Sequence, residues 1–206
     1  MSVDEFFTLS KMTIRDQVIE KSQFIGIAVP LQTMEQIETS MGKIREDYPN
    51  ARHYVYAYRL HLGLIEKSSD DGEPQGTGGR PILDVLQHRN VWNVLVVVVR
   101  YFGGILLGTG GLSRAYGGTA RQVILETDLK RITTYRSFIL HVPYEWFEKL
   151  KYQFIQHNWT IFNEEFSEVI QIYVHVPEHE SELFVNWVDN YTRKQVNYED
   201  LGVVWA

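Results

Sequence analysis

Six branched aliphatic residues in a row, Val94 to Val99, run straight into Arg100-Tyr-Phe-Gly-Gly-Ile-Leu-Leu-Gly-Thr-Gly-Gly-Leu-Ser-Arg-Ala-Tyr-Gly-Gly118. A run this short and β-branched predicts a buried strand, Trp92 to Arg100, because a spanning helix needs roughly 20 apolar residues. The periodicity of Leu112, Tyr116, Ala120 and Val123 predicts a helix after it. Between them lies the glycine-rich stretch Gly103 to Gly111, where the backbone can turn sharply and another group can come close. Unpaired N–H groups and a partial positive charge at the helix start make this a candidate anion or phosphate site. Tight strand–helix packing is the alternative reading of the same glycines.

Known glycine signatures do not fit. Gly103 and Gly108 have P-loop spacing and Thr109 follows, but the lysine is missing, which argues against triphosphate hydrolysis by that mechanism. Ser113 stands where the last glycine of a dinucleotide fingerprint belongs. Gly111-Leu-Ser-Arg-Ala115 lacks the closing glycine of a nucleophile elbow and has no evident triad partners.

A second irregular stretch, Ser68 to Gly79, contains Asp70, Asp71 and Glu73. Three carboxylates in four residues can hold a hard cation, cap the following helix, or pair with Arg52, Arg80, Arg100 or Arg114. His53, beside Arg52, is either a functional or a hydrogen-bonded structural residue. His175 and His179 have an i, i+4 interval, but Pro177 breaks the helix a zinc pair would need. Tyr54, Tyr56 and Tyr58 alternate along His53 to Tyr58 and read as either a base-stacking platform or an amphipathic strand face.

Elsewhere the pattern predicts strands Thr13 to Glu20 and Gln23 to Val29, with Lys21 and Ser22 as the hairpin turn. A helix through Met34, Ile37, Met41 and Ile44 follows, opened by a Thr33–Gln36 capping box. Another helix runs from about Pro81 to His88, and the first half closes near Asp128. The second half reads strand (Phe138, Leu140, Val142), helix (Phe147, Leu150, Phe154), strands Trp159 to Phe166 and Val169 to Val176, a helix opened by Pro177, and a strand Gln195 to Trp205. That order, βαββαβ, is ferredoxin-like. The first half is nearly neutral and the second carries most of the net charge of −6, so a boundary near Lys130 is expected.

With 44% hydrophobic and 13% aromatic residues in 206, the chain can build packed cores. The absence of cysteine excludes disulfides, thiolate zinc sites and a cysteine nucleophile. No signal-like N-terminus, spanning segment or basic arm is evident, so a cytoplasmic protein with no membrane contact is expected, and any nucleic-acid contact must be local.

Lys21-Ser-Gln-Phe-Ile25, Ala51-Arg-His53, Ser69-Asp-Asp-Gly-Glu-Pro74, Gly76-Thr-Gly-Gly-Arg-Pro81 and the Val97-to-Gly118 segment, in this order, resemble the YigZ/IMPACT family. The resemblance implies an α+β protein. Residues 1–130 would have the fold of the second domain of small-subunit ribosomal protein five. Residues 131–206 would form a ferredoxin-like βαββαβ domain similar to the last domain of elongation factor G. It further implies a regulatory link to translation, since eukaryotic relatives compete for the ribosome-associated activator of a kinase that phosphorylates an initiation factor. The chain is therefore expected to be a non-enzymatic binding protein of the translation apparatus, without a cofactor and with the ribosome, RNA or a translation-associated protein as partner. The candidate anion- or partner-binding residues are Arg52, His53, Asp70, Asp71, Glu73, Gly76, Arg80, Arg100, Tyr101, Gly103, Gly104, Gly108, Thr109, Gly110, Gly111 and Arg114. No residue is assigned a catalytic or metal-binding role. The alternative is an enzyme or sensor of a phosphorylated or nucleotide ligand, with the acidic loop holding a cation and the glycine loop the phosphate.

Overall fold

A computed structural model describes residues 5–125 and 129–206. The expected close of the first half near Asp128 and the extreme N-terminus, Met1 to Asp4, lie outside the described residues. Two compact units divide the chain, one over Phe6–Arg131 and the other containing Ile132–Ala206.

In the first unit, β2 (Thr13–Ile19), β3 (Ser22–Pro30), β4 (His53–Leu60), β5 (Ile65–Ser69) and β6 (Val94–Tyr101) form an antiparallel sheet in the order β2-β3-β6-β4-β5. The valine run lies at its centre. Because successive side chains point to opposite faces, Val94, Val96 and Val98 pack against α2 (Gly79–His88) and α3 (Gly108–Leu125). Leu95, Val97 and Val99 pack instead against α1 (Glu35–Asp47). A helix layer on each face is why this strand has no polar alternation.

The tyrosine stripe belongs to the α1 face. Tyr58 is buried, and the Tyr54 hydroxyl donates to the Tyr48 carbonyl at 2.6 Å, so the stripe is a packing surface and not a platform for bases. The hairpin turn falls on Glu20 and Lys21, both at positive φ, with Ser22 already paired to Ile19. This shifts the expected turn by one residue. Half of the expected capping box is present: the Gln36 side chain accepts from the Thr33 amide at 3.3 Å, while α1 has no side-chain hydrogen bond from its N-cap. Two short strands, β1 (Glu5–Leu9) and β5, were not foreseen. The sequence of β5, Ile-Glu-Lys-Ser-Ser, has no apolar alternation; it is fixed in part by Glu66, which accepts from the buried Arg59 at 2.7 Å.

The second unit orders β10 (Asn197–Trp205), β7 (Leu129–Val142), β9 (Ile170–Pro177) and β8 (Thr160–Phe166) as β10-β7-β9-β8, every pair antiparallel. This is the ferredoxin-like arrangement. Phe147, Leu150 and Phe154 of α4 (Tyr144–Gln156) and Phe184 and Val188 of α5 (Ser181–Thr192) share a core with Phe138, Leu140, Ile172 and Val174. Pro177 ends β9 instead of opening the helix, and a short turn of 3₁₀ helix, Glu178–Glu180, intervenes. Among the described residues no helix is long and apolar enough to cross a membrane.

Candidate functional site

The acidic loop between β5 and α2 is organised by its own carboxylates. Asp70 accepts backbone N–H groups from Gly76 (2.7 Å), Gly78 (2.9 Å) and Gly79 (2.8 Å), and so caps α2 from a distance in sequence. Burial alone would raise its pKa, but the amides of Gly76, Gly79 and Gly78 together outweigh it and hold the carboxyl below its ordinary value. Asp71 accepts the Tyr54 amide at 2.6 Å, and its carbonyl lies 2.7 Å from His53 Nδ1. That carbonyl can only accept, so His53 carries a proton on Nδ1 and leaves Nε2 3.7 Å from Glu73 Oε1.

Glu73 points inward. Its Oε1 accepts from Arg100 Nη1 at 2.6 Å and from the Tyr116 hydroxyl at 2.7 Å, with the Glu73 and Arg100 side chains only 4% and 5% exposed. Burial first, then the Glu73 carboxylate, push the Tyr116 hydroxyl far above the usual phenol range, so it remains a donor. Arg100 also reaches Ser22 Oγ at 3.5 Å, and Ser22 Oγ accepts the Gly103 amide at 3.1 Å. The network thus ties β3, β6, the acidic loop and α3 together. Arg100 Nε is buried with no hydrogen-bond partner among the described residues.

The three carboxylates therefore diverge onto separate donors. Among the described residues no cluster of such side chains could hold a metal ion, which speaks against the alternative in which Asp70, Asp71 and Glu73 together hold a cation; of the pairings considered, only Arg100 with Glu73 forms among them. Arg80 pairs with Asp84 at 2.7 Å.

Above this network opens a cleft of about 480 Å³, lined by Arg52, His53, Glu73, Arg100, Gly108 and Thr109. Phe102, Leu106, Leu107 and Leu112 give it an apolar wall, and Leu106 is 88% exposed. The helix begins at Gly108, earlier than the pattern suggested, so Gly108 to Gly111 form the first turn of α3, in which the amides of Gly108, Thr109 and Gly110 have no intrahelical partner. Gly108, at φ +67°, holds the left-handed position; Gly110 does not. Gly103 is required for another reason, since a Cβ there would collide with the Lys21 and Ser22 backbone.

Six of the sixteen candidate residues thus converge on the cleft. Asp70, Asp71, Gly76 and Gly103 shape the loops behind it, and Gly104 (φ +86°) turns the glycine stretch. Gly110 and Gly111 lie in the first turn of α3 without lining the cleft. Three candidates lie elsewhere: Tyr101 donates to the Pro49 carbonyl at 3.1 Å, Arg80 is bound to Asp84, and Arg114 lines a groove between α2 and α3. Tyr116 and Ser22 were not foreseen as functional. The available signal was a hydroxyl on an otherwise apolar helix face, which must find a partner when buried. Ser113 lines the α2–α3 groove, apart from His53; His88 lines the same groove, with its Nδ1 2.6 Å from the Asp84 carbonyl.

A model of the Impact N-terminal domain matches residues 20–124, and one for a domain of unknown function, DUF1949, matches residues 140–195. The chain is 32% identical over 188 residues to the IMPACT family member YvyE of Bacillus subtilis, covering 91% of this chain and 87% of that protein. It is 34% identical to the IMPACT family member YigZ of Escherichia coli over 166 residues, 77% of this chain and 79% of the other. To Protein IMPACT of Homo sapiens it is 33% identical over 112 residues, which span 52% of this chain and 34% of the human protein. A crystal structure titled only as that of a hypothetical protein superposes with a TM-score of 0.62 at 28% identity, covering 96% of this chain and 97% of the other. With five motifs in order, two matching domain models and relatives aligned over most of its length, the chain belongs to the IMPACT family.

Proposed function

We propose that this chain is a non-enzymatic regulatory protein of translation that uses the cleft of its first unit to grip a protein segment of a ribosome-associated partner. The observation that carries the reading is the exposed apolar rim, Phe102 and Leu106, over a charged floor that is already internally paired. An exposed leucine and phenylalanine beside a polar pocket are what a partner's side chains bury against. Glu73, the only acid lining the cleft among the described residues, is engaged by Arg100 and Tyr116 and serves to hold the site rigid. The family resemblance supports the translation link, and a cytoplasmic setting is part of the same reading. Amide exchange of the full chain with and without purified ribosomes tests it. Protection is expected over residues 102–112 and at Arg52 and His53; protection confined to other surfaces refutes it.

A second reading, a sensor or enzyme for a phosphorylated ligand, is favoured by the open first-turn amides of α3 beside Arg100, whose Nε lacks a partner. Inorganic phosphate titrated to tens of millimolar should then shift the amide resonances of Gly108 to Gly111 and stabilise the fold. Unshifted resonances leave the partner-binding reading alone.

A further inference from the structure

The groove between α2 and α3 shares no lining residue with the cleft. It is open, about 760 Å³, and floored by Pro81, Gly117 and Gly118. Its walls carry Arg89 from the end of α2 and Arg114 and Arg121 from α3. All three arginines are exposed, and none has an ion-pair partner among the described residues. Arg114 and Arg121 are seven residues apart, two helical turns, which sets them on one face about 10 Å apart. Among the described residues Asp84 is the one acid lining the groove, and it pairs with Arg80 at 2.7 Å. In a chain with a net charge of −6, this concentration of unpaired guanidinium groups is local and not a consequence of overall basicity.

We propose that this groove seats the phosphate backbone of RNA, bound through Arg89, Arg114 and Arg121 with little sequence preference. Planar guanidinium forks match phosphate oxygens, so arginines spaced along one open groove can engage successive phosphates of a backbone. A protein partner would need an apolar anchor. The groove offers none that is exposed, since Val85 is buried. The choice of RNA among polyanions rests on the reading of the chain as a translation-linked protein.

The test is fluorescence anisotropy of the full chain with a labelled RNA hairpin between 50 and 200 mM KCl. Neutralising three phosphates predicts that affinity falls about 20- to 40-fold over this range. Arg89→Gln with Arg121→Gln leaves one contact and should flatten the fall to about threefold. Both positions are exposed, and an unchanged thermal melt confirms the fold. The corresponding lysine pair should restore the steep dependence. A salt dependence unchanged in the glutamine pair, or displacement of RNA by polyglutamate of equal charge as effectively as by unlabelled RNA, overturns the proposal. Ribosome co-sedimentation separates the two readings. If it survives in the glutamine pair while RNA binding is absent even in the native chain, only the groove is refuted. If it is absent in the native chain while the RNA salt dependence holds, the cleft reading fails and the groove stands.

Discussion

Replacing Glu73 with glutamine removes one negative charge from the buried centre of the first unit while keeping shape and an acceptor oxygen. Tyr116 can still donate to the amide oxygen, so its 2.7 Å bond has a substitute. Arg100 has none: its guanidinium, 5% exposed, would be left without a counter-ion. Breaking one side of a buried ion pair destabilises by about 3–5 kcal/mol. For a unit of this size that is a fall in Tm on the order of 10–20 °C. Differential scanning calorimetry of the full chain, with amide exchange of β6 and α3 to assign the transition, measures it. Adding Arg100→Met to Glu73→Gln should recover part of the loss, because the uncompensated charge is gone. A loss below about 1 kcal/mol for Glu73→Gln would show that the carboxylate is in effect solvated. The argument that Glu73 is a structural group would then fail, and an acid–base role would have to be reconsidered.

Asp70→Asn should destabilise α2 by about 1–2 kcal/mol through loss of the charged acceptor for three amides. Because the folded carboxyl is held below its ordinary value of 3.8, the difference from the native chain should be complete above that pH and vanish as pH falls below it; urea unfolding at several pH values would show this. Gly103→Ala forces a Cβ into the Lys21–Ser22 backbone, and a loss of about 1–3 kcal/mol is expected by the same measurement, whereas Gly76→Ala meets no neighbouring atom and is strained only by its φ of +76°. Residues 132–206 expressed alone are expected to melt cooperatively with native amide protection; a broad melt would count against an independently folding second unit.

Much of the architecture could be read from the residues, and the reasons are local. The valine run, the 3.6-residue periodicity of α1, α3, α4 and α5, and the βαββαβ order each rest on an apolar pattern that one buried face imposes. What escaped has no such pattern. Strand β5 is mostly polar and is held by pairing to β4 and by Arg59, and the Glu20–Lys21 turn uses residues that do not announce positive φ. In the site, glycine clustering marked the start of α3, and His53, Arg52, Glu73 and Arg100 were all singled out. Their mutual arrangement was hidden, because which carboxylate meets which donor depends on sheet register. His53 lies opposite Arg100 across β4 and β6, and no single segment of sequence contains both. Arg89 and Arg121 were overlooked for the opposite reason: each is an isolated exposed arginine until α2 and α3 bring them to one groove.

The most direct test of the central claim is co-sedimentation of the native chain and of Leu106→Asp with ribosomes through a sucrose cushion at near-physiological salt. Leu106 is 88% exposed, so aspartate leaves the fold intact while placing a charge on the cleft's apolar rim. Loss of one buried leucine contact, about 1.5–3 kcal/mol, corresponds to roughly 10- to 100-fold weaker association. The account predicts that the native chain travels with ribosomes and Leu106→Asp remains largely in the supernatant. Equal sedimentation of both, or failure of the native chain to associate, would contradict it.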